Sequence, residues 1–190
     1  MSTALVFDSI NTEDLNVKDL LEQHGYQVEV FSKQVASREV SISEPADLIV
    51  INLDRVVISD LEFCKGIGAK AKVPILLLAK EESELSTETI LASAVSSYGV
   101  GVFDRKRLLT MADVAIERFR QMQSLKDELN RSKLQLEQRK VIERAKGLIM
   151  SHRGLNENDA YNHMRRTAMD QGKSMASFAE QIIEVFQIIE

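Results

Sequence analysis

The residues best suited to chemistry in this 190-residue chain are basic and aromatic side chains gathered near its C-terminus. They are Arg139, Lys140, Arg144, Lys146, Arg153, Arg165, Arg166 and Lys173, with Tyr161 and His163 among them. Guanidinium groups and aromatic rings stack on unpaired bases while positive charge meets phosphates, so this combination suits folded RNA. The alternative is a solvated helix surface with ordinary ion pairs, such as Glu143 with Lys146. The charge pattern alone leaves both interpretations open.

A long helix must lead into this basic segment. From Leu108 to Met150 there is no proline, and the first glycine is Gly147, while helix-favouring residues dominate. A 3-4 spacing typical of a coiled-coil seam is formed by Met122, Leu125, Leu129, Ser132 and Leu136. Because polar residues surround this seam, residues 107–138 are predicted to be the stem of a parallel homodimer. A single helix that folds back on its own domain is the alternative.

Residues 139–190 are predicted to form a small all-α domain of three helices at the end of the stem. Gly154 ends the long helix, and Asn156 offers an N-cap with a carboxylate three residues on. The next helix runs from Glu157 to about Asp170 and ends at Gly172. Ser174 caps the last helix, whose apolar residues are Phe178, Ile182, Val185 and Ile189.

The first half of the chain alternates short aliphatic runs with amphipathic stretches. One such stretch, Thr12–His24, places Leu15, Leu20 and Leu21 on one face and has Gly25 at its C-cap. This alternation predicts an α/β domain with a doubly wound, parallel, five-stranded sheet and right-handed crossovers. The predicted strands are Ala4–Phe7, Gln27–Phe31, Leu48–Leu53, Val73–Leu78 and Gly101–Phe103.

Polar residues follow several of these predicted strands, at the edge of the sheet where function usually lies. They are Asp8 and Ser9 after the first strand, Asn52 and Asp54 after the third, and Lys106 after the fifth, while Ala79 follows the fourth. This layout across residues 1–106 resembles the CheY-like receiver domain of two-component response regulators. In that family an aspartate ends the third strand and accepts a phosphoryl group, and an acidic pair after the first strand holds Mg²⁺.

The resemblance implies a degenerate receiver site. Asn52 takes the acceptor position and cannot form an acyl phosphate, and the acidic pair is reduced to Asp8. The hydroxyl position is Ala79, and only Lys106 keeps its expected type. Asp54, the rival acceptor, lies about 6 to 7 Å farther along a strand and is interpreted as a solvated loop residue. Residues 1–106 are therefore predicted to be a pseudo-receiver whose input is a partner protein.

Composition narrows the classes of function. The formal net charge is −5, yet residues 107–153 carry 11 basic against 6 acidic side chains, while residues 1–106 carry 10 against 17. The single cysteine, Cys64, excludes an intramolecular disulfide. The N-terminus lacks a signal-peptide pattern and no run could span a bilayer, so a cytoplasmic location is predicted. Without a catalytic triad, metal-ligand cluster or phosphate-binding glycine loop, neither an enzyme nor a cofactor is expected.

Four spaced blocks of sequence stand out between residues 139 and 186. They are Arg139-Lys-Val-Ile-Glu-Arg-Ala-Lys-Gly-Leu-Ile-Met150, Gly154-Leu-Asn-Glu-Asn-Asp-Ala-Tyr161, Met164-Arg-Arg-Thr-Ala-Met169 and Ser177-Phe-Ala-Glu-Gln-Ile-Ile183. In this order they resemble the ANTAR family of bacterial RNA-binding antiterminators. With a degenerate receiver and a coiled-coil stem in front, the whole chain is similar to the amidase and nitrate-assimilation antiterminators, and most closely to the NasT type.

The ANTAR resemblance implies a mechanism. A homodimer binds two stem-loops in a nascent leader mRNA and prevents an overlapping terminator hairpin from forming, so RNA polymerase is involved only indirectly. A ligand-sensing regulatory protein resembling a periplasmic binding protein holds such relatives inactive, and no membrane takes part.

The same resemblance implies roles for individual residues. RNA contact is implied for Arg139, Lys146, Tyr161, Arg165 and Arg166, and in second rank for Lys140, Arg144 and Lys173. Close helix packing is implied for Ala145, Gly147, Ala160, Ala168 and Ala179.

Two other functions stay open at this point. One is a phosphorylation-responsive, DNA-binding transcriptional regulator. Asn52 at the acceptor position and the lack of a recognisable helix-turn-helix pair argue against it. The other is a non-enzymatic dimeric adaptor whose coiled coil links two partners.

Overall fold

The computed structural model describes residues 2–9, 17–32 and 46–189. These residues fall into two compact units, Met1–Gln123 and Ser124–Glu190. In chain order the elements are β1 (Ser2–Asp8), α1 (Val17–Glu22), β2 (Tyr26–Ser32), β3 (Leu48–Leu53), α2 (Ile58–Ala71), β4 (Ile75–Ala79), α3 (Thr87–Leu91), β5 (Ser97–Val100), α4 (Arg105–Arg153), α5 (Glu157–Asp170) and α6 (Met175–Ile189).

Five parallel strands form one sheet in the N-terminal unit, in the order β2-β1-β3-β4-β5. The chain builds outward from β1 first on one side and then on the other, so the switch point lies between β1 and β3. The register pairs Asp8 at the end of β1 with Asn52 near the end of β3. The predicted fold class, a doubly wound parallel sheet of five strands, is confirmed.

Alternate strand residues enter two hydrophobic cores, one on each face of the sheet. On one face Phe7 and Ile51 lie in a core with Leu61 of α2. On the other face Val6 lies in a core with Leu108 of α4. Every residue of β3 and β4 is buried, which explains why both strands are continuous aliphatic runs in the sequence.

The fifth strand lies earlier in the chain than Gly101–Phe103, so that prediction is wrong. Its sequence, Ser97-Tyr-Gly-Val100, has few aliphatic residues, and Gly99 leaves room for α4, since a Cβ there would overlap the side chain of Met111. Gly101 has φ +98°, a left-handed conformation that follows the end of the strand. Lys106 therefore lies in α4 and not directly after a strand.

The other predicted strands overlap β1 to β4, with bounds that differ by at most two residues. The predicted helix Thr12–His24 is only partly described: α1 spans Val17–Glu22, and residues 12–16, including Leu15, lie outside the described residues. Leu21 is buried in the core as predicted. Gly25 follows the helix with φ +91°, and its N–H donates to the Glu22 carbonyl at 3.0 Å.

Helix α4 runs unbroken for 49 residues. Leu108 and Ala112 lie in the core beneath the sheet, and Ala145 and Ile149 lie in the core of the C-terminal unit. The predicted stem, residues 107–138, and the predicted start of the C-terminal domain at residue 139 both fall inside this helix. Gly154 has φ +65° directly after the helix and ends it as predicted.

Two further helices complete the C-terminal unit, and both begin with the predicted caps. The Asn156 Oδ1 accepts the N–H of Asp159 at 2.9 Å, and the Ser174 Oγ accepts the N–H of Ser177 at 3.1 Å. A core in this unit contains Ala145, Ile149, Ala160, Met164 and Ala179. The buried alanines let the helices approach closely, as the resemblance implied.

We expect Ala94→Gly to stabilise the N-terminal unit by about 1 kcal/mol, because Ala94 has a φ of +70° that is costly for any residue with a Cβ. The control is Ala92→Gly, since Ala92 has an ordinary φ of −71° and should lose stability instead. Thermal unfolding of the full chain compares the two variants. Equal losses in both would show that Ala94 is not strained.

Candidate nucleic-acid interface and degenerate receiver site

At the switch point of the sheet, Asn52 and Asp8 are bonded to each other. The Asn52 Nδ2 donates to the Asp8 Oδ1 at 3.3 Å, and the Asn52 residue is only 4% exposed. The Ser9 N–H and hydroxyl both donate to the Asn52 carbonyl, at 3.0 and 3.1 Å. The uncharged carboxamide of Asn52 therefore places a hydrogen-bond donor at this position. A phosphoryl acceptor would need an ionised carboxylate oxygen here.

The remaining predicted site residues differ in side-chain type and in exposure. Ala79 is buried and has no hydroxyl, and Asp54 is exposed one residue past the end of β3. The neighbouring Arg55 pairs with Glu81 at 2.6 Å across two loops. The residue that directly follows β5 is Gly101, and Lys106 is the second residue of α4.

We expect Asn52→Asp to destabilise the N-terminal unit by about 1–3 kcal/mol in metal-free buffer, because it sets two carboxylates against each other in place of a hydrogen bond. Millimolar Mg²⁺ should restore much of this loss, since paired carboxylate oxygens suit the ion. Asn52→Ala removes the same bond without adding charge and should not respond to Mg²⁺. Thermal unfolding with and without Mg²⁺ measures both, and a variant as stable as the parent in chelator would contradict the expectation.

On α4, Arg139, Lys140 and Arg144 are all exposed. The Lys140 Nζ pairs with the Glu137 Oε1 at 2.8 Å, a solvated surface bond that costs little to exchange for another anion. Arg144 and Gly147 lie four and seven residues after Lys140, so these three residues share one side of the helix. Gly147 is exposed, and a Cβ added to it would have no atom of another element within 4 Å, so the implication that it allows close helix packing is wrong.

On α5, Tyr161, Arg165 and Arg166 are exposed, whereas Ala160, Met164 and Ala168 are buried. Tyr161 is 43% exposed, and Arg165 lies one turn after it on the same row. An exposed ring beside a guanidinium gives a face for base stacking next to a charge for phosphate. Lys173 is exposed in the turn after α5, and its Nζ donates to the Gln181 Oε1 at 2.8 Å.

Lys146 lies in a different environment from the other basic residues. Its side chain is 9% exposed, and its Nζ contacts the Glu143 Oε2 at 2.5 Å and the Glu157 Oε1 at 2.7 Å. Glu157 is the first residue of α5, so this lysine links the end of α4 to the start of the next helix. The geometry favours a structural role for Lys146, and its predicted contact with RNA stays a prediction.

Lys146 and Glu157 shift each other's pKa. The hydrogen bonds to Glu143 and Glu157 raise the pKa of Lys146 above its ordinary 10.5, and the hydrogen bond from Lys146 lowers the pKa of Glu157 below its ordinary 4.5. The stability that Glu157 contributes is present above pH 4.5 and is lost as the pH falls through the lowered value. The contribution of Lys146 is present below pH 10.5 and is lost as the pH rises through the raised value.

We expect Lys146→Met to lower the thermal midpoint of the C-terminal unit by several degrees, because it leaves two carboxylates close together without their cation. The pKa of Glu157 should rise back toward its ordinary value, which a carboxyl-carbon NMR titration would measure. The matched control is Lys140→Met, whose lysine has only its exposed Glu137 partner and should barely change the midpoint. An unchanged Glu157 titration would contradict the structural role.

The predicted coiled-coil seam is exposed along α4. Met122, Leu125, Leu129 and Leu136 are 60%, 62%, 53% and 54% exposed, and Ser132 is exposed between them. Leucine side chains repeated on one stripe of a helix and left in solvent are typical of a face that another helix covers. The homodimer stays a prediction.

Sequence reasoning missed two contacts of the C-terminal unit. Glu157 lies 11 residues from Lys146 and on another helix, so helical spacing rules could not pair them. The Arg153 Nη1 lies 2.9 Å from the His163 Nε2 across two helices. The only sequence signal for this second pair was the presence of both side chains in the basic cluster.

The fold and the site together define a class: a protein with a receiver-like α/β domain that has asparagine at the acceptor position, followed by a small helical domain with exposed basic side chains. Residues 131–183 match the sequence model of the ANTAR domain. The resemblance to ANTAR regulators with a receiver-like domain is confirmed.

Relatives of known name agree with this class. Over 172 residues the chain is 27% identical to transcriptional regulatory protein PdtaR of Mycobacterium tuberculosis, covering 90% of this chain and 83% of that protein. Over 65 residues it is 35% identical to the nitrate regulatory protein of Klebsiella oxytoca, covering 34% of this chain and 16% of that protein. The solved two-component response regulator from Clostridium difficile shares the fold, with a TM-score of 0.51 and 19% identity, covering 62% of this chain and 98% of that one.

Membrane spans and metal-ligand clusters are both absent from the described residues. No helix in the described ranges is long and apolar enough to cross a membrane. Within the same ranges, no three His, Cys, Asp or Glu side chains are grouped so as to hold a metal ion.

Proposed function

We propose that this protein is an RNA-binding transcription antiterminator that holds two stem-loops of a nascent leader transcript and so prevents a terminator hairpin from forming. One observation carries the proposal: within the ANTAR domain, Arg139, Arg165 and Arg166 are exposed, the last two on the same helix as the exposed ring of Tyr161. An acidic protein that concentrates cations next to an aromatic ring is suited to a folded RNA loop and not to indiscriminate binding of polyanions.

The proposed dimer matches the proposed target. Two chains paired through the exposed seam of α4 would present two ANTAR domains to two hairpins of the same transcript. Binding of the second hairpin then becomes intramolecular. Because the second hairpin is held at a high effective concentration, two weak contacts together give one tight complex.

Control by a partner protein is the second part of the proposal. Asn52 donates to Asp8 where an acceptor aspartate would be needed, so the chemistry of an acyl phosphate has no nucleophile at this position. We therefore assign the input to a ligand-sensing regulatory protein and not to a kinase. Acetyl phosphate should leave the parent protein unlabelled, and an acid-labile phosphoryl group on Asp54 would overturn this part alone.

Transcription in vitro tests the proposal. The template carries the leader of the operon that adjoins the gene, with its twin hairpins and terminator, and the full chain is added to bacterial RNA polymerase. Read-through should rise with protein concentration, and should not rise when either hairpin loop is replaced. Binding to duplex DNA of the same sequence without any effect on read-through would favour a DNA-binding regulator instead.

A further inference from the structure

A cavity of about 420 Å³ opens in the C-terminal unit between the end of α4, α5 and α6. Ile149 and Ile182 lie among its apolar residues, and the rings of Phe178 and Phe186 supply aromatic faces. The His152 ring meets Phe186 edge-on, with centroids 4.8 Å apart. The volume lies in the range of sites that bind small organic groups, and the lining is mostly apolar and aromatic.

The described rim of the cavity is polar. Arg153, His163 and Gln181 line it, and the described lining includes neither aspartate nor glutamate. Arginine cannot accept a hydrogen bond, so the Arg153 Nη1 donates to the His163 Nε2 at 2.9 Å and the ring proton lies on Nδ1. The Lys173 Nζ, bonded to Gln181, adds a second cation beside the opening. The opening therefore favours an anionic or electron-rich partner.

A flat aromatic group attached to a phosphate chain fits both halves of this description. Aromatic walls accept the face of any base, and the amide, imidazole and guanidinium groups on the rim are suited to a base edge or the flanking phosphates. An apolar protein side chain would use the walls but would leave the rim donors and both cations without a role. Charge complementarity thus selects a nucleic-acid base over a protein side chain.

We propose that this cavity receives one unpaired loop base of the bound RNA, stacked against Phe186 and Phe178, with Arg153 and His163 at its edge. The inference rests on the proposed function and adds Phe178 and Phe186, to which the sequence analysis gave no role in RNA binding. Single-stranded loops can extrude a base at low cost, because no base pair has to open.

The experiment begins with selection of a probe. RNAs with two hairpins and randomised loops are enriched on the full-length protein, and the enriched RNA is then made with single abasic sites at each loop position. For the parent protein one position should stand out, with a loss of affinity of about 5- to 100-fold when its base is removed. The Phe186→Leu variant keeps an apolar side chain but removes the ring. It should bind intact RNA more weakly and show little further loss with that abasic RNA.

Met169→Leu serves as the matched control, because Met169 is 69% exposed on α5 and does not line the cavity. It should keep the full abasic effect, and circular dichroism establishes that both variants fold. If the protein enriches no RNA, both the proposed function and this inference are wrong. If RNA binds tightly but each abasic site weakens binding equally in the parent and in Phe186→Leu, the inference about the cavity is wrong and the proposed function stands. A change of oligomeric mass in Phe186→Leu with unchanged RNA affinity would overturn it in favour of a protein side chain.

Discussion

An Arg165→Ala/Arg166→Ala variant should bind a two-hairpin leader RNA at least about 100-fold more weakly than the parent at physiological salt. Both guanidinium groups are exposed on α5, and Arg165 lies one turn after Tyr161. A hydrogen bond to a charged phosphate contributes about 1.5–3 kcal/mol where it forms. The affinity of the variant should also depend less steeply on salt, because fewer counterions are released. Filter binding or fluorescence anisotropy over a salt series measures both quantities.

The control for this variant is Arg118→Ala/Arg120→Ala. It removes the same charge from positions of α4 that lie outside the ANTAR match. If RNA binding depends on net charge alone, the two variants will lose affinity equally. If the two arginines of α5 contact RNA, the control will keep most of the parent's affinity. Equal affinity of Arg165→Ala/Arg166→Ala and parent would remove these residues from the interface.

Replacing both Leu125 and Leu129 by glutamine should convert the protein from dimer to monomer. These side chains are 62% and 53% exposed in the single chain, and their burial against a second helix is the main gain expected from pairing. Sedimentation would show a halved mass. Affinity for the two-hairpin RNA should fall by about 10²- to 10⁴-fold because the second contact is no longer intramolecular. Affinity for a single hairpin should stay the same.

Leu134→Gln is the matched control for the seam. Leu134 is 60% exposed on the same helix but lies off the 3-4 stripe, so its replacement should leave the dimer intact. A monomeric Leu134→Gln variant would show that general hydrophobicity of α4 drives association. An unchanged mass of Leu125→Gln/Leu129→Gln would place the dimer contact, if one exists, on another surface.

How far the fold can be predicted from the sequence depends on burial. Strands such as Leu48–Leu53 are covered on both faces, so every position needs an aliphatic residue and the run is conspicuous. β5 lies at the sheet edge with Ser97, Tyr98 and Gly99, where packing against α4 demands a small residue. Its hydrophobic signal is therefore weak, and the neighbouring run Gly101–Phe103 carries a stronger one although it forms no strand. Helix caps are local, which is why Asn156, Ser174 and Gly154 could be predicted.

The candidate site is less predictable because its chemistry depends on contacts between helices. The sequence shows that Lys146 is basic, but only the packing of α5 against α4 brings Glu157 to it and buries the charge. Exposure of Arg165 and Arg166 follows from the helical period, because Met164 and Ala168 fix the buried face. The cavity at Phe186 gives no signal in the sequence, since its wall residues are indistinguishable from ordinary core residues until three helices are assembled.

The seam of leucines lies on one unbroken helix, α4, and this limits how that part of the chain can change in length. Each residue added between Met122 and Leu136 would turn the seam residues after it by about 100° around the helix axis. Lengthening by seven residues would keep the leucines of the seam in phase, whereas adding one or two would shift them off a single stripe. Functional versions of this protein should therefore differ in this stretch by multiples of seven, and engineered insertions of other sizes should weaken the predicted pairing of two chains.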